Sequence, residues 1–283
     1  MTQLPFDVFD VHHHVGRAFD ALGGDLEEPS VDPEEFARIE LAHRLRIMDD
    51  GGVHQALVIP GHGYLRPNGI ADTRRVNDEI AAYRDRTPQR FPAACGIVEP
   101  RDGAHAFAEI DRAADELGLV ALSFHTRFQG VSMDSQWIVR YLARMGEAGL
   151  VPLMHAMDDT PEESLWKLAS IARRLPDLTM IALDPFAGFE ATRQCFHVAE
   201  LAPNVVFDTS LSYNFDFIED FAVRFGAARV VFGTDLYSYP VGRRISHLLP
   251  QIVESALSRD DKAAILGGNA RRLLGIEELS PGE

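Results

Sequence analysis

The sequence predicts an α/β protein: a single (β/α)8 barrel (TIM barrel), regular or distorted, with a C-terminal closing helix, spanning residues 1–283 as one domain. Three observations lead there. Short apolar runs alternate with amphipathic helical patterns along the whole chain, the signature of a parallel sheet wrapped in helices. Most of these runs end in His, Asp or a glycine-containing turn, so polar chemistry gathers at one end of the strands. No Pro/Ser-rich linker, short repeat or composition shift divides the chain, and the glycine-rich phosphate loop that an open doubly wound sheet would show is absent.

The first strand runs through Val8, Phe9 and Val11 and ends in His12, His13, His14 and Gly16. Side chains alternate along a strand, so His12 and His14 share a side and His13 takes the other. Two imidazoles at a strand end can offer neutral nitrogen to one metal ion. A tag remnant or a surface histidine cluster is the competing reading, but either would sit in polar sequence rather than behind Phe6, Val8, Phe9 and Val11. Residues 17–33, rich in Gly, Asp and Glu, form a loop long enough to be functional and lie over the histidines.

Asp32 and Pro33 cap and open a helix with Phe36, Ile39, Leu41, Leu45, Ile47 and Met48 on its apolar face, stopped by Gly51-Gly52; His43 on it is solvated or packs. Strand two covers 55–60 and leads into Gly61-His62-Gly63-Tyr64, where His62 is a candidate to line a pocket. A helix over 72–86 carries Val76, Ile80 and Tyr83, and strand three covers 91–98. A helix over 103–117 precedes strand four, 119–124, which ends in His125-Thr126-Arg127. A helix over 134–148 precedes strand five, 150–154, which ends at His155. Thr160-Pro161-Glu162-Glu163 predicts a helix start, continued by Leu165, Leu168, Ile171 and Leu175. Strand six, 179–183, ends at Asp184; strand seven, 205–207, ends at Asp208; strand eight, 229–232, ends at Gly233-Thr234-Asp235. Residues 258–276 form the closing helix.

Composition narrows the partners. A chain of 283 residues with 46% hydrophobic content can bury a large core. Its 27 Lys and Arg against 43 Asp and Glu give a net charge of −16. That argues against nucleic acid or an anionic membrane and leaves room for a local basic pocket holding an acidic small-molecule substrate. Cys95 and Cys195 are far apart and read as small core residues in a reducing compartment. No run approaches the roughly 18 apolar residues of a membrane span, and the N-terminus lacks the order of a signal peptide, so the expected compartment is the cytoplasm. A homodimer is the commonest assembly for such a chain.

In a barrel of this kind the C-terminal strand ends converge on one face, where active sites are built. Those ends hold His12, His14, His62, His125, Arg127, His155, Asp184, Asp208 and Asp235. Each alone reads as a solvated cap, whereas histidines from several strands with a carboxylate from the last read as a site. A set of His12, His14 and His155 with an oxygen of Asp235 leaves room for water on a tetrahedral or five-coordinate zinc-like ion.

Five segments carry a family resemblance: Asp10-Val11-His12-His13-His14-Val15-Gly16, Phe124-His125-Thr126-Arg127-Phe128-Gln129-Gly130, Pro152-Leu153-Met154-His155, Val231-Phe232-Gly233-Thr234-Asp235 and Ile265-Leu266-Gly267-Gly268-Asn269-Ala270. In this order, over essentially the whole chain, they resemble the amidohydrolase superfamily, and more narrowly its small barrel hydrolases and decarboxylases typified by aminocarboxymuconate-semialdehyde decarboxylase. The resemblance implies that His12, His14, His155 and Asp235 are metal ligands for one divalent ion, zinc first and manganese second, and that the reaction is hydrolysis or non-oxidative decarboxylation. Two positions depart from it. Ser123 stands where many members carry a lysine, which disfavours a carbamylated lysine bridging two ions. Asp184 stands where many carry a strand-six histidine that, by analogy, helps activate the metal-bound water or polarise the substrate.

The expected reaction is metal-assisted hydrolysis of a small carboxylate-bearing or cyclic carbonyl compound, a lactone or an amide. Asp235 would accept the water's proton, His125 would donate to the developing oxyanion, and Arg127 would anchor a substrate carboxylate. Asp184 would orient the water or fix a ligand histidine. The alternatives are decarboxylation of an aromatic or unsaturated acid on the same metal, and a metal-binding relative without activity. For Arg127 the competing reading is a surface ion pair, and for Asp184 a cap on the loop over 185–188.

Overall fold

The computed structural model describes residues 5–17, 32–61, 66–157, 159–239 and 247–277. The predicted loop over 17–33 and the candidate His62 therefore lie, apart from Arg17, Asp32 and Pro33, outside the described residues. Strands β1 (Phe9–Arg17), β2 (Gln55–Pro60), β3 (Ala93–Ile97), β4 (Ala121–Phe124), β5 (Val151–His155), β6 (Met180–Leu183), β7 (Val205–Asp208), β8 (Val230–Val231) and β9 (Leu236–Tyr239) alternate with helices except between β8 and β9. They pair in the order β8-β7-β6-β5-β4-β3-β2-β1-β9, every pair parallel.

The eighth strand of the expected barrel is split. Its first half, β8, pairs with β7, and its second half, β9, pairs with β1. Between them the Val11 N–H donates to the Phe232 carbonyl and the Asp235 N–H to the His12 carbonyl, so the ring closes through the break. The interruption follows from Asp235, whose φ of 53° no regular strand residue adopts. Small and branched residues fill the interior, with Leu57, Ile59, Cys95, Leu153, Ile181 and Val231 buried there and the helices packed outside. Cys195, too, is buried, on the helical side of the core.

Two helices differ instructively from the pattern reading. The first, Pro33–Gly51, begins as expected: the Asp32 carboxylate accepts from the Glu34 and Glu35 N–H groups, and Gly52 ends it in the left-handed region. Its inward face, however, holds Glu40 and Arg44, while Ile39 is 49% exposed. A buried ion pair satisfied by the Tyr83 hydroxyl replaces part of the apolar stripe. At Thr160 a short 3-10 turn, Pro161–Glu163, comes first and the α-helix starts only at Leu165. The break at Ser164 lets the Glu163 carboxylate turn inward, where it is fully buried. The closing segment is helical from Arg259 to Leu274, with a π-helical turn at Ala264–Gly268. Among the described residues no helix is long and apolar enough to cross a membrane.

Candidate active site

The site begins with a bulge. The β1–β2 register runs Asp10 opposite Ala56 and then His13 opposite Val58, so β1 carries one extra residue. Without it, Phe9, Val11 and His13 would share the interior and His12 and His14 would face the helices. The bulge moves His12 and His14 inward behind Phe9 and Val11 and brings His13 back to the side of Asp10, whose carboxylate its Nδ1 meets at 2.8 Å. Asp10 also accepts from the His12 N–H, from the Thr234 N–H at 3.0 Å and from the Thr234 hydroxyl. One buried carboxylate thus ties the histidine strand to the segment carrying Asp235.

The ring nitrogens of His12, His14 and His155 lie within 4.8 Å of one another. Each ring is oriented through Nδ1: His12 toward Asp208 at 2.8 Å, His14 toward the Pro60 carbonyl at 3.2 Å and His155 toward the Phe124 carbonyl at 2.9 Å. Carbonyls only accept, so in His14 and His155 Nδ1 carries the proton and Nε2 is left as the donor atom for a metal; Asp208 holds the His12 Nδ1 proton in the same way. The His12 and His14 Nε2 atoms are 3.0 Å apart, and Asp235 Oδ1 stands 3.5 Å from both. Two lone pairs this close in a buried site repel, so the pair needs a shared proton or a shared metal ion. Burial opposes charge on His12, yet Asp184, Asp208 and Asp235 outweigh it and push its pKa up to about 10. The field at this point favours positive charge, and the donor set of three imidazoles and a carboxylate suits a divalent ion.

Asp208 shapes this arrangement with both oxygens. Oδ2 faces His12 and the Ser210 hydroxyl; Oδ1 accepts from the Asp184 and Ser210 N–H groups. Gly233 makes the close packing possible, because a Cβ there would sit 2.6 Å from Ser210 Oγ and 2.7 Å from Asp208 Oδ2. Asp184 is buried, with Oδ1 3.7 Å from His12 Nδ1 and no hydrogen-bond partner on that oxygen. Its backbone is held at φ 59°, and its carbonyl, not its side chain, receives the Ala187 N–H of the following loop. Burial first, then Asp235 and Asp208 against the pull of His12, raise its pKa well above the usual carboxylate range.

His125 stacks face to face on His155, with centroids 4.0 Å apart and planes 6° from parallel. Its Nδ1 meets Glu163 Oε1 at 2.5 Å. Arg127 also follows strand four, but its guanidinium is held by Asp159 at 2.5 Å and lies 3.6 Å from Glu163. It is engaged by acidic groups of its own chain rather than presented bare to a ligand. Tyr237 stacks on His14 at 4.5 Å. Beside the histidines a cavity of about 480 Å³ opens at the strand ends, bordered by Met157, Thr209, Tyr213, Gly233, Thr234 and His247.

The structure thus brings together His12, His14, His155, Asp235 and Asp184, sets His125 against them and leaves Arg127 one ion pair away. Asp10, Glu163 and Ser210 were not singled out from sequence, and Asp208 was seen only as a strand end. The signal for Asp10 and Asp208 was present, since a carboxylate near metal-type histidines is the usual partner of their outer nitrogens.

In shape the chain is similar to solved decarboxylases. A 5-carboxyvanillate decarboxylase from Sphingomonas paucimobilis is 19% identical with a TM-score of 0.68, covering 96% of this chain and 100% of that one. A 2,6-dihydroxybenzoate decarboxylase from Rhizobium is 17% identical with a TM-score of 0.69, covering 95% and 99%. A 5-carboxyvanillate decarboxylase from Novosphingobium aromaticivorans, complexed with manganese and 4-hydroxy-3-methoxy-5-nitrobenzoic acid, is 16% identical with a TM-score of 0.71, covering 96% and 97%. At these identities the likeness shows the fold. No curated protein matches the sequence. The amidohydrolase family profile matches residues 9–276, nearly the whole chain, and the protein therefore belongs to the amidohydrolase superfamily.

Proposed function

We propose that the protein is a divalent-metal-dependent enzyme catalysing non-oxidative decarboxylation of a small aromatic or unsaturated carboxylic acid. His12, His14, His155 and Asp235 would hold the ion, with manganese, present in decarboxylases of similar shape, and zinc as the two candidates. When bound, the ion would supply a positive centre for the substrate's oxygens.

The observation that carries the choice over hydrolysis is the likeness in fold, over nearly the whole chain, to solved decarboxylases, and a buried acid pair in the site fits that chemistry. Asp184 and Asp235 offer carboxylate oxygens within 4.8 Å of each other, and like charges so close favour one retained proton. Asp184 is the more deeply buried of the two, and burial raises its pKa above the usual carboxylate range. Hydrolysis asks first for a base; decarboxylation consumes a proton. The bond from the carboxyl carbon breaks, the electron pair stays on the ring or vinyl carbon, and the proton of the Asp184–Asp235 pair forms the new C–H bond as carbon dioxide leaves. The neighbours named for dihydroxybenzoate and carboxyvanillate support an aromatic hydroxy acid as substrate. The cavity of about 480 Å³ beside Gly233 and Thr234 has room for a single aromatic ring with its substituents.

The test is a substrate panel on manganese-loaded protein in D₂O. Release of carbon dioxide with one deuterium at the vacated carbon supports the proposal. Turnover of lactones or amides without carbon dioxide refutes it in favour of the hydrolase, and no turnover with metal bound favours a binding role.

A further inference from the structure

Glu163 sits in no sequence motif for catalysis, yet it is an enclosed acid packed against the strand-four loop. It is fully buried, and its Oε1 lies 2.5 Å from His125 Nδ1 and 3.2 Å from the Arg127 N–H. Its Oε2 has no hydrogen-bond partner, the nearest cation being Arg127 Nε at 3.6 Å. The turn that carries it is tied to the strand-four loop a second time, because the Thr126 hydroxyl and the Met133 N–H both donate to the Glu162 carbonyl. A mobile acid on the surface would not be fixed from two sides in this way.

The His125 ring that Glu163 holds is not isolated either. It lies parallel to His155 at 4.0 Å, and the preceding residue, Phe124, supplies the carbonyl that fixes His155 Nδ1 at 2.9 Å. His155 is therefore gripped at one edge by the strand-four backbone and on one face by the His125 ring. A parallel stack resists tilting of either ring, so whatever holds one plane holds both.

We propose that Glu163 is a positioning residue: its buried carboxylate fixes the tautomer and plane of His125, and through the stack His125 sets the plane in which His155 presents Nε2. This rests on the reading of His155 as a metal ligand. It extends the usual outer partner of a metal-ligating histidine by one ring, from Glu163 through His125 to His155. Arg127 then serves as the counter-charge to Glu163 and Asp159, not as a substrate anchor.

The experiment has two readouts besides turnover. In ¹⁵N imidazole spectra of metal-free wild-type protein at pH 8, His125 is expected as the Nδ1–H tautomer, and in E163Q its Nδ1–H resonance moves upfield or gives way to the Nε2–H form. By calorimetry, E163Q is expected to bind Mn²⁺ at least about 10-fold more weakly than wild type, the usual loss for an outer partner, with an unchanged far-ultraviolet spectrum. H125F, which keeps a flat ring but loses the bond to Glu163, should weaken Mn²⁺ binding similarly, and H125F/E163Q no further than either alone. Wild-type affinity in E163Q, or additive losses in the double variant, would overturn the proposal. If E163Q fails to fold, H125F decides, and wild-type affinity there overturns it. Wild-type protein that takes up no Mn²⁺ refutes the metal reading itself, and the two failures are thereby distinguished.

Discussion

Replacing Asp208 by Asn changes one oxygen for an amino group and almost no volume, yet Asp208 has no tolerant side to offer. Oδ1 accepts two backbone N–H groups, from Asp184 at 2.9 Å and Ser210 at 3.2 Å, while Oδ2 faces His12 Nδ1 at 2.8 Å and the Ser210 hydroxyl at 2.5 Å. If the new amino group turns toward the backbone, two buried N–H donors meet a third donor. If it turns toward His12, the ring must release its Nδ1 proton and carry it on Nε2, which blocks the lone pair that faces His14. The first arrangement leaves buried donors unsatisfied at about 1–3 kcal/mol; the second removes a metal ligand. D208N should therefore lower affinity for Mn²⁺ by roughly 10 to 100-fold, equal to about 1.4–2.7 kcal/mol. The metal-induced rise in melting temperature should shrink accordingly. Calorimetric titration of wild type and D208N, with melts in chelator and in metal, measures both quantities. A D208N protein that folds and binds Mn²⁺ as tightly as wild type would refute the orienting role of Asp208.

Three further outcomes are expected. D235N should keep its fold and lose turnover by roughly 10² to 10⁴-fold, because an amide is a poorer ligand for the ion and no longer places a carboxylate beside the Asp184 proton; more than a tenth of wild-type rate in a steady-state assay counts against it. D184A should lower turnover or metal affinity at least about 10-fold, whereas a change confined to thermal stability would remove Asp184 from the chemistry. Burial, against the pull of Arg127, pushes Glu163 from its ordinary 4.5 up to about 7, so the folded chain keeps a proton that the unfolded chain gives up between those values. The associated stability is present below pH 4.5 and lost as pH rises to 7. Between pH 5 and 7.5 wild type should lose up to roughly 3 kcal/mol relative to E163Q, read from urea denaturation; a constant difference would contradict the shift.

The histidine strand was legible because its signal is local: apolar residues, three imidazoles and a glycine in consecutive positions. The strand ends at His125, His155, Asp184 and Asp235 were legible because a parallel barrel must bring them to one face. The bulge at Val11 and His12 was not, since it depends on the pairing of β1 with β2 and on Asp10 bonding across to Thr234, 224 residues away. Glu163 was hidden because Thr160-Pro161-Glu162-Glu163 has the composition of a helix start, and only the turn at Ser164 reveals that the acid points inward. Arg127 read either as a substrate anchor or as a surface ion pair, and the choice was hidden for a similar reason: its partner Asp159 lies on a different loop. Long-range polar contacts leave no periodicity, so sequence located the site while the structure supplied its supporting bonds.

The most direct test of the metal reading is anomalous scattering from crystals grown with Mn²⁺. One peak among the Nε2 atoms of His12, His14 and His155 and the Asp235 carboxylate is the predicted result. A site empty at full manganese occupancy of the solution, or an ion held elsewhere in the barrel, would contradict it.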